Sequence, residues 1–211
     1  MILQFYRKGV CSPLFTFELE YSLGGLSDNL SVTGARDRYA MSKIITLTMN
    51  PALDISTSID KVVHTEKLRC TAAKTQPGGG GINVARVITR LDSGNKNTCV
   101  AVYPAGGFTG QLLTQALDDE GIRSQPIKTY GDTRESFSVH ETSSTKDFRF
   151  LLPGPTLTTA EWRACLDSAL QITNPSDILI ASGSLPPGVP DDFLALLATA
   201  TREKKGTFGI R

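Results

Sequence analysis

Four consecutive glycines, Gly78 to Gly81, form the stretch of this sequence best suited to chemistry. Glycine has no side chain to pack in a core, but it adopts positive φ and lets another molecule approach the backbone closely. Apolar residues at helical spacing follow, from Ile82 to Leu91, so the glycine turn is predicted to open a helix. The first N–H groups of a helix lack internal partners and suit hydroxyl oxygens or an anion. The alternative is a flexible hairpin loop before a helix.

Polar side chains after two predicted strands extend this candidate site. A buried strand is predicted over 44–49, and Asp54 lies just past its carboxyl end. Ligands of open α/β sheets gather at such ends, so Asp54 is a candidate acceptor for substrate hydroxyls. The alternative for Asp54 is an Asx turn or a cap. Ser182 and Ser184 lie in a turn of small residues and prolines after a second predicted strand, 177–181.

Cationic side chains flank the same region. Lys67 and Arg69 are predicted to share one face of a strand, where they suit either a phosphate or a solvated edge. Arg134 and Arg149 fall in the two halves of a predicted hairpin. They are candidates for phosphate contact, because a guanidinium group matches phosphate oxygens in a bidentate way.

Composition excludes several other classes of function. The chain has 211 residues and a formal net charge of +1, without a basic block, which argues against a nucleic-acid partner. Its four cysteines are scattered and its two histidines are far apart, so neither a metal site nor a disulfide framework is predicted, and reduced thiols in a cytoplasmic protein are expected. No apolar run reaches the roughly 18 residues of a membrane span.

The elements that must position these residues repeat as strand, turn and helix. This pattern predicts an α/β protein with a largely parallel sheet and crossover helices. Two segments with alternating polarity, 55–76 and 133–152, do not fit it and are predicted to form a small antiparallel lid. The first 40 residues lack periodicity and are predicted to be an atypical, poorly ordered extension. The domain is predicted to start at 41 and to occupy 41–211.

Several motifs, in this order along the chain, resemble the ribokinase/PfkB family of sugar kinases. The glycine run with the residues after it, GGGGINVAR, is highly specific for that family, and KLRCTA at 67–72 favours its 6-phosphofructokinase members. The other matching stretches are 46–54, 104–107, 133–134, 149–154 and 182–188. The resemblance implies a ribokinase-like fold, which is a mostly parallel sheet with flanking helices and a small antiparallel β lid.

The resemblance also implies how the sugar is held. Asp54 and Asn83, with the backbone of Gly78, Gly79, Gly80 and Gly81, would hold the sugar hydroxyls. Ser182 and Ser184 would line the sugar pocket.

The resemblance assigns the cations to the phosphates. Lys67 would lie near the transferred phosphoryl group and offset its developing charge. Arg134, with Arg149 from a partner subunit's lid, would hold the 6-phosphate. Ser136 departs from the side-chain amide expected at its position, which puts one phosphate contact in doubt.

The activity implied is transfer of the γ-phosphoryl group of ATP, with Mg²⁺, to O1 of fructose 6-phosphate, in a cytoplasmic homodimer formed through the lid. One alternative is another substrate, such as fructose 1-phosphate, tagatose 6-phosphate or a nucleoside, since 50–54 also suits 1-phosphofructokinases. A second alternative is a non-catalytic binder of sugar phosphates, and a third is a fragment that does not fold stably.

One motif of the family does not occur in this sequence. Its members continue well beyond position 211 and carry a Gly-Ala-Gly-Asp turn, whose aspartate is the general base, together with most of the ATP-binding surface. No such run is present here. We therefore expect the C-terminal part of the fold to be missing, and the 211-residue chain to have little or no activity alone.

Overall fold

The fold is described by a computed structural model at residues 42–92 and 98–210. The predicted extension, 1–40, lies outside the described residues. The strands are β1 (Ile44–Leu47), β2 (Ala52–Ile59), β3 (Lys74–Gly78), β4 (Cys99–Gly106), β5 (Ser124–Thr129), β6 (Arg134–Glu141), β7 (Lys146–Leu151), β8 (Ile178–Ala181) and β9 (Thr207–Ile210). The helices are α1 (Gly80–Leu91), α2 (Gly107–Asp119), α3 (Thr159–Ile172) and α4 (Phe193–Glu203). None of these helices is long and apolar enough to cross a membrane.

The main sheet has five parallel strands in the order β5-β4-β1-β8-β9, which confirms the predicted parallel α/β architecture. One core contains Ile45 and Leu47 of β1 packed with Trp162 of α3 and Phe193 of α4. A second core packs α1 and α2 around the buried Tyr103 of β4. Helices therefore cover both faces of the sheet, and this explains why β1 is almost entirely apolar.

A second sheet, which we call the lid, has the strand order β3-β2-β6-β7. The prediction of an all-antiparallel lid is wrong in one respect, since β2 pairs with β6 in parallel, with Ala52 opposite Arg134. The connectivity gives the reason. β1 and β5 are parallel strands of the main sheet, and each is followed along the chain by a lid strand, β2 or β6. The outer pairs β2–β3 and β6–β7 are antiparallel.

Two local predictions need correction. The first strand ends at Leu47 rather than at 49, and Asp54 is the third residue of β2 rather than part of the turn after β1. Residues 60–73 contain no strand, so Lys67 and Arg69 do not share a strand face. Within the predicted lid segment 55–76, only 55–59 of β2 and 74–76 of β3 are strands.

Two helix boundaries coincide with local sequence signals. Thr158 and Glu161 form a reciprocal capping box at the start of α3, as the sequence Thr-Thr-Ala-Glu indicates. Gly121 has a φ of +69° just after α2, where only a residue without Cβ adopts this conformation easily.

Candidate functional site

The glycine run joins lid strand β3 to helix α1, at the place where the lid meets the main sheet. It is therefore not a hairpin loop. Gly79 precedes the helix with a φ of +121°. The N–H of Gly81 donates to the main-chain oxygen of Ser182 at 3.2 Å, and the N–H of Ile82 donates to Oγ1 of Thr48 at 2.9 Å. Because these two N–H groups bind protein acceptors, Gly79 and Gly80, which are half-buried, remain as the part of the turn that a ligand can approach.

Close packing explains why this turn consists of glycine. A Cβ atom on Gly80 would lie 2.3 Å from Oγ of Ser182 and 2.8 Å from the main-chain nitrogen of Gly183. A Cβ atom on Gly81 would lie 2.6 Å from Oγ1 of Thr48. The turn that follows β8 thus packs directly against the glycine run, and Ser182 lies in contact with Gly80 and Gly81.

Asp54 lies on the face of the lid that also carries the two predicted arginines. It pairs with Gln76 of β3 and with Ser136 of β6. Side chains alternate between faces along a strand, so Arg134, two residues before Ser136, shares the face of Asp54. Arg149 lies opposite Ser138 and shares it too.

The electrostatics of Asp54 agree with this placement. Burial raises the pKa of its carboxyl group, while a hydrogen bond from Ser136 and the charges of Arg134, Arg149 and Arg86 act in the opposite direction. Ser136, which departs from the residue expected by resemblance, thus supports the ionised form of Asp54. An acceptor surrounded by cations is suited to a ligand that carries both hydroxyl groups and a negative charge.

Arg134 is held in place by main-chain oxygens. Its Nη1 donates to the oxygen of Leu152 at 3.2 Å and its Nη2 to the oxygen of Asn50 at 3.3 Å. Its Nε is buried and has no hydrogen-bond partner among the described residues. The guanidinium group is therefore oriented by the protein, and each of its two Nη atoms keeps a second N–H for a ligand. Arg149, in contrast, is exposed.

Asn50 is a site residue that the sequence analysis missed. Its Nδ2 donates to Oγ of Ser184 at 3.0 Å, while its own main-chain oxygen accepts from Arg134. Its Oδ1 is buried without a partner among the described residues. Asn50 links the serine turn to the arginine, and its position directly after the first strand was the only signal in the sequence.

Arg86 and Glu120 were also missed. Arg86 donates through Nη1 to Oδ1 of Asn83 at 3.3 Å, and through Nε and Nη2 to both carboxylate oxygens of Glu120. Arg86 and Glu120 are 34 positions apart, which hides their contact from any local pattern.

The predicted site residues come together with one exception. Contacts connect Asp54 to Gly78, Gly80 to Ser182, and Ser184 through Asn50 to Arg134. Lys67 lies in the exposed segment 60–73 and makes no hydrogen bond or ion pair with another described residue. Its predicted role at the transferred phosphoryl group stays a prediction.

A parallel α/β sheet with a glycine turn at its junction with a β lid, facing an aspartate and two arginines, is the architecture of a carbohydrate kinase with a ribokinase-like fold. Residues 46–209 match the family described as pfkB family carbohydrate kinase, and the chain belongs to that family.

Comparison with individual proteins agrees. The chain is 51% identical over 160 residues to ATP-dependent 6-phosphofructokinase isozyme 2 of Mycobacterium tuberculosis, covering 76% of this chain and 46% of that protein. The Escherichia coli protein of the same name is 40% identical over 171 residues, with 81% and 52% covered. The crystal structure of phosphofructokinase-2 from Escherichia coli in complex with fructose-6-phosphate superposes with a TM-score of 0.75 at 37% identity, covering 81% of this chain and 55% of that one. The chain therefore spans about half the length of the curated relatives it matches.

Proposed function

We propose that this chain carries the sugar-phosphate site of an ATP-dependent 6-phosphofructokinase. The observation that carries the proposal is the shared lid face on which Asp54 is surrounded by the charges of Arg134 and Arg149. A carboxylate accepts hydrogen bonds from sugar hydroxyls, and guanidinium groups bind a phosphate. A phosphorylated sugar provides both the hydroxyl groups and the phosphate. The fructose-6-phosphate complex of the Escherichia coli relative supports this choice of substrate.

Each residue then has a role in holding the substrate. Asp54, Asn83 and the backbone of Gly79 and Gly80 bind the sugar hydroxyls, while Ser182 and Ser184 line the sugar pocket. The other two glycines of the run, Gly78 and Gly81, are buried and shape the turn. Arg134 binds the 6-phosphate from the same chain. The charge of Arg149 acts on Asp54 of its own chain. This supports a contribution of Arg149 to the site of its own subunit, in addition to the phosphate contact that the resemblance implies in a partner subunit.

In the proposed reaction, O1 of the sugar attacks the γ-phosphorus of ATP, the bond to the bridging oxygen breaks, and the O1 proton passes to a base. Such catalysis consists mainly of positioning and charge stabilisation, and Lys67 is proposed for the latter. No base is assigned to this chain, because the Gly-Ala-Gly-Asp run does not occur in it. We therefore expect the 211-residue chain to bind the sugar phosphate and to show little or no turnover alone.

We propose that Mg²⁺ enters the reaction with the phosphates of ATP. Among residues 42–92 and 98–210, no group of three or more histidine, cysteine, aspartate or glutamate side chains is placed to hold a metal ion. Magnesium in phosphoryl-transfer sites is bound largely by the substrate phosphates and water. The phosphates and water, rather than side chains among these residues, are therefore proposed as its ligands.

Titration calorimetry with fructose 6-phosphate tests the proposal. We expect heat that saturates, and weaker binding of fructose 1-phosphate and tagatose 6-phosphate. If either of these two sugars bound more tightly, it would take the place of fructose 6-phosphate as the proposed substrate. No binding of any sugar phosphate would overturn the proposal, and MgATP-dependent turnover in a coupled assay would overturn the expected inactivity of the chain alone.

We further propose that two copies associate through the lid and that the protein is cytoplasmic. The lid face opposite Asp54 carries Phe137 and Phe150, whose ring centroids are 6.3 Å apart and which are 37% and 55% exposed. Apolar side chains on an open sheet face are suited to an interface. Sedimentation of the chain and of a Phe150→Asp variant tests the dimer, which the variant is expected to dissociate. The free thiols of Cys70, Cys99 and Cys165 support a reducing compartment.

A further inference from the structure

We infer that Arg86, fixed by Glu120, is a positioning residue that orients Asn83 toward the sugar. This inference rests on the proposed function, because it concerns the same substrate. Arg86 lies in α1, one helical turn after Asn83, and its side chain is only 11% exposed. A buried guanidinium group that makes four hydrogen bonds to three different segments has little freedom to move.

Three segments meet at this guanidinium group. Nη1 donates to the main-chain oxygen of Pro77, at the end of β3, at 3.0 Å, and to Oδ1 of Asn83 at 3.3 Å. Nε and Nη2 donate to Glu120, just after α2, at 2.8 Å and 2.7 Å. Pro77 immediately precedes the glycine run and Asn83 closely follows it. Arg86 therefore holds both ends of the glycine turn at once.

The chemistry of arginine fixes the orientation of Asn83. A guanidinium group has donors and no acceptor, so only Oδ1 of the asparagine amide can face it. Nδ2, with its two hydrogens, must then point away from Arg86. Asn83 is exposed, which leaves this donor accessible to a ligand.

The fixed donor of Asn83 complements Asp54. An ionised carboxylate only accepts hydrogen bonds, whereas a sugar hydroxyl both donates and accepts. A hydroxyl can therefore donate to Asp54 while it accepts from Asn83. The positive charge of Arg86 also favours the ionised form of Asp54, since it is one of the charges that oppose the rise in the pKa of this carboxyl group.

Arg90 provides a matched control in the same helix. Its Nη2 also contacts Glu120, at 3.2 Å, but its side chain is 64% exposed and no contact with Pro77 or Asn83 is described for it. Removing Arg90 takes a cation away from the same carboxylate without releasing the glycine turn.

The test is a double-mutant cycle on fructose 6-phosphate binding, measured by calorimetry on the 211-residue chain, with thermal unfolding of every variant. We expect Arg86→Met to weaken binding about tenfold, as for a lost hydrogen bond to a charged group. We expect Arg90→Met to change binding by less than about twofold. In an Asn83→Ala background, Arg86→Met should cost no more than about twofold, because only the effect of its charge on Asp54 then remains.

Each outcome is decisive. If Arg86→Met lowered the affinity equally with and without Asn83, the effect would be a general structural one and the inference would be overturned. Unchanged affinity in the Arg86→Met single variant would overturn it too. If Arg86→Met does not fold, Arg86→Lys replaces it in the same cycle, with Arg90→Lys as its control. Lysine keeps the charge, but its single ammonium group cannot bind both carboxylate oxygens of Glu120 and Oδ1 of Asn83 at the same time. Absence of binding by the unmodified chain would instead overturn the proposed function, and this inference with it.

Discussion

The carboxylate of Asp54 lies against the backbone of Gly78 so closely that a Cβ atom on the glycine would fall 2.3 Å from Oδ2. Both residues belong to the antiparallel pair β2–β3, in which Gly78 is opposite Ala52. The absence of a side chain at the end of β3 therefore lets Asp54 occupy its place in the site. Glycine is therefore needed at position 78 to make room for the carboxylate of Asp54, and not to allow a special backbone conformation.

Gly78→Ala is expected to reduce fructose 6-phosphate affinity by more than about tenfold while lowering the free energy of unfolding by less than about 1 kcal/mol. The added methyl group meets the far end of a side chain, so Asp54 can turn away and leave the site. Gly80→Ala, in contrast, meets the backbone of 182–183 at 2.8 Å and is expected to cost about 1–3 kcal/mol. Calorimetry and urea denaturation measure the two effects.

Gly209→Ala is the control for this pair, because its Cβ atom would lie 4.0 Å from the nearest contact, a side-chain atom of Ile180. It should leave sugar affinity unchanged. Intact affinity in Gly78→Ala would mean that Asp54 does not bind the sugar from its present position.

The features that could be predicted from the sequence are those with a local signal. The buried strands, the glycine-led helix and the capping box of Thr158 and Glu161 each depend on neighbouring residues, and the structure agrees with them. The parallel pairing of β2 with β6 could not be predicted from local patterns. It depends on where the preceding strands of the main sheet, β1 and β5, end relative to each other. The same holds for contacts such as that of Asn50 with Ser184, 134 positions away.

Arg134→Met is expected to weaken binding of fructose 6-phosphate at least about tenfold and to have much less effect on unphosphorylated fructose. The reason is that the half-buried guanidinium group, oriented by two main-chain oxygens, is proposed to bind the phosphate. Arg149→Met should have a smaller effect, since Arg149 is exposed. Arg163→Met, which removes an exposed arginine that stacks on Trp162 in α3, is the matched control. Equal losses for both sugars would show that Arg134 does not recognise the phosphate.

The thiol of Cys70 is expected to report on the segment that carries Lys67. Cys70 is exposed in segment 60–73, whereas burial raises the pKa of the Cys99 and Cys165 thiols to about 12. Iodoacetamide at pH 8 should therefore label Cys70 quickly and the two buried thiols only after unfolding. Mass spectrometry of the labelled peptides distinguishes the sites.

Fructose 6-phosphate is expected to slow the labelling of Cys70, because Lys67 is proposed to approach the bound substrate, which would then shield the exposed segment 60–73. Fructose at the same concentration is the control ligand. Unchanged labelling under saturating fructose 6-phosphate would argue against a role for Lys67 in this chain.

The pH dependence of stability is expected to reflect Glu120. Hydrogen bonds from Arg86 hold the pKa of the Glu120 carboxyl group below its ordinary value of 4.5. A lowered pKa in the folded state stabilises the protein fully above the unfolded value, and this contribution is lost as the pH falls through the folded value. Glu120→Gln should therefore be up to about 1 kcal/mol less stable than the unmodified chain at pH 7, because solvent screens this partly exposed ion pair, with the difference shrinking below pH 4.5.

Urea denaturation at a series of pH values from 7 to 3 measures this difference. Glu203→Gln, at the exposed end of α4, is the control for removal of a surface carboxylate. If the unmodified chain and Glu120→Gln lost stability in parallel on acidification, the ion pair would contribute nothing to folding. The orientation of Arg86 at the glycine turn would then depend on its hydrogen bonds to Pro77 and Asn83 alone.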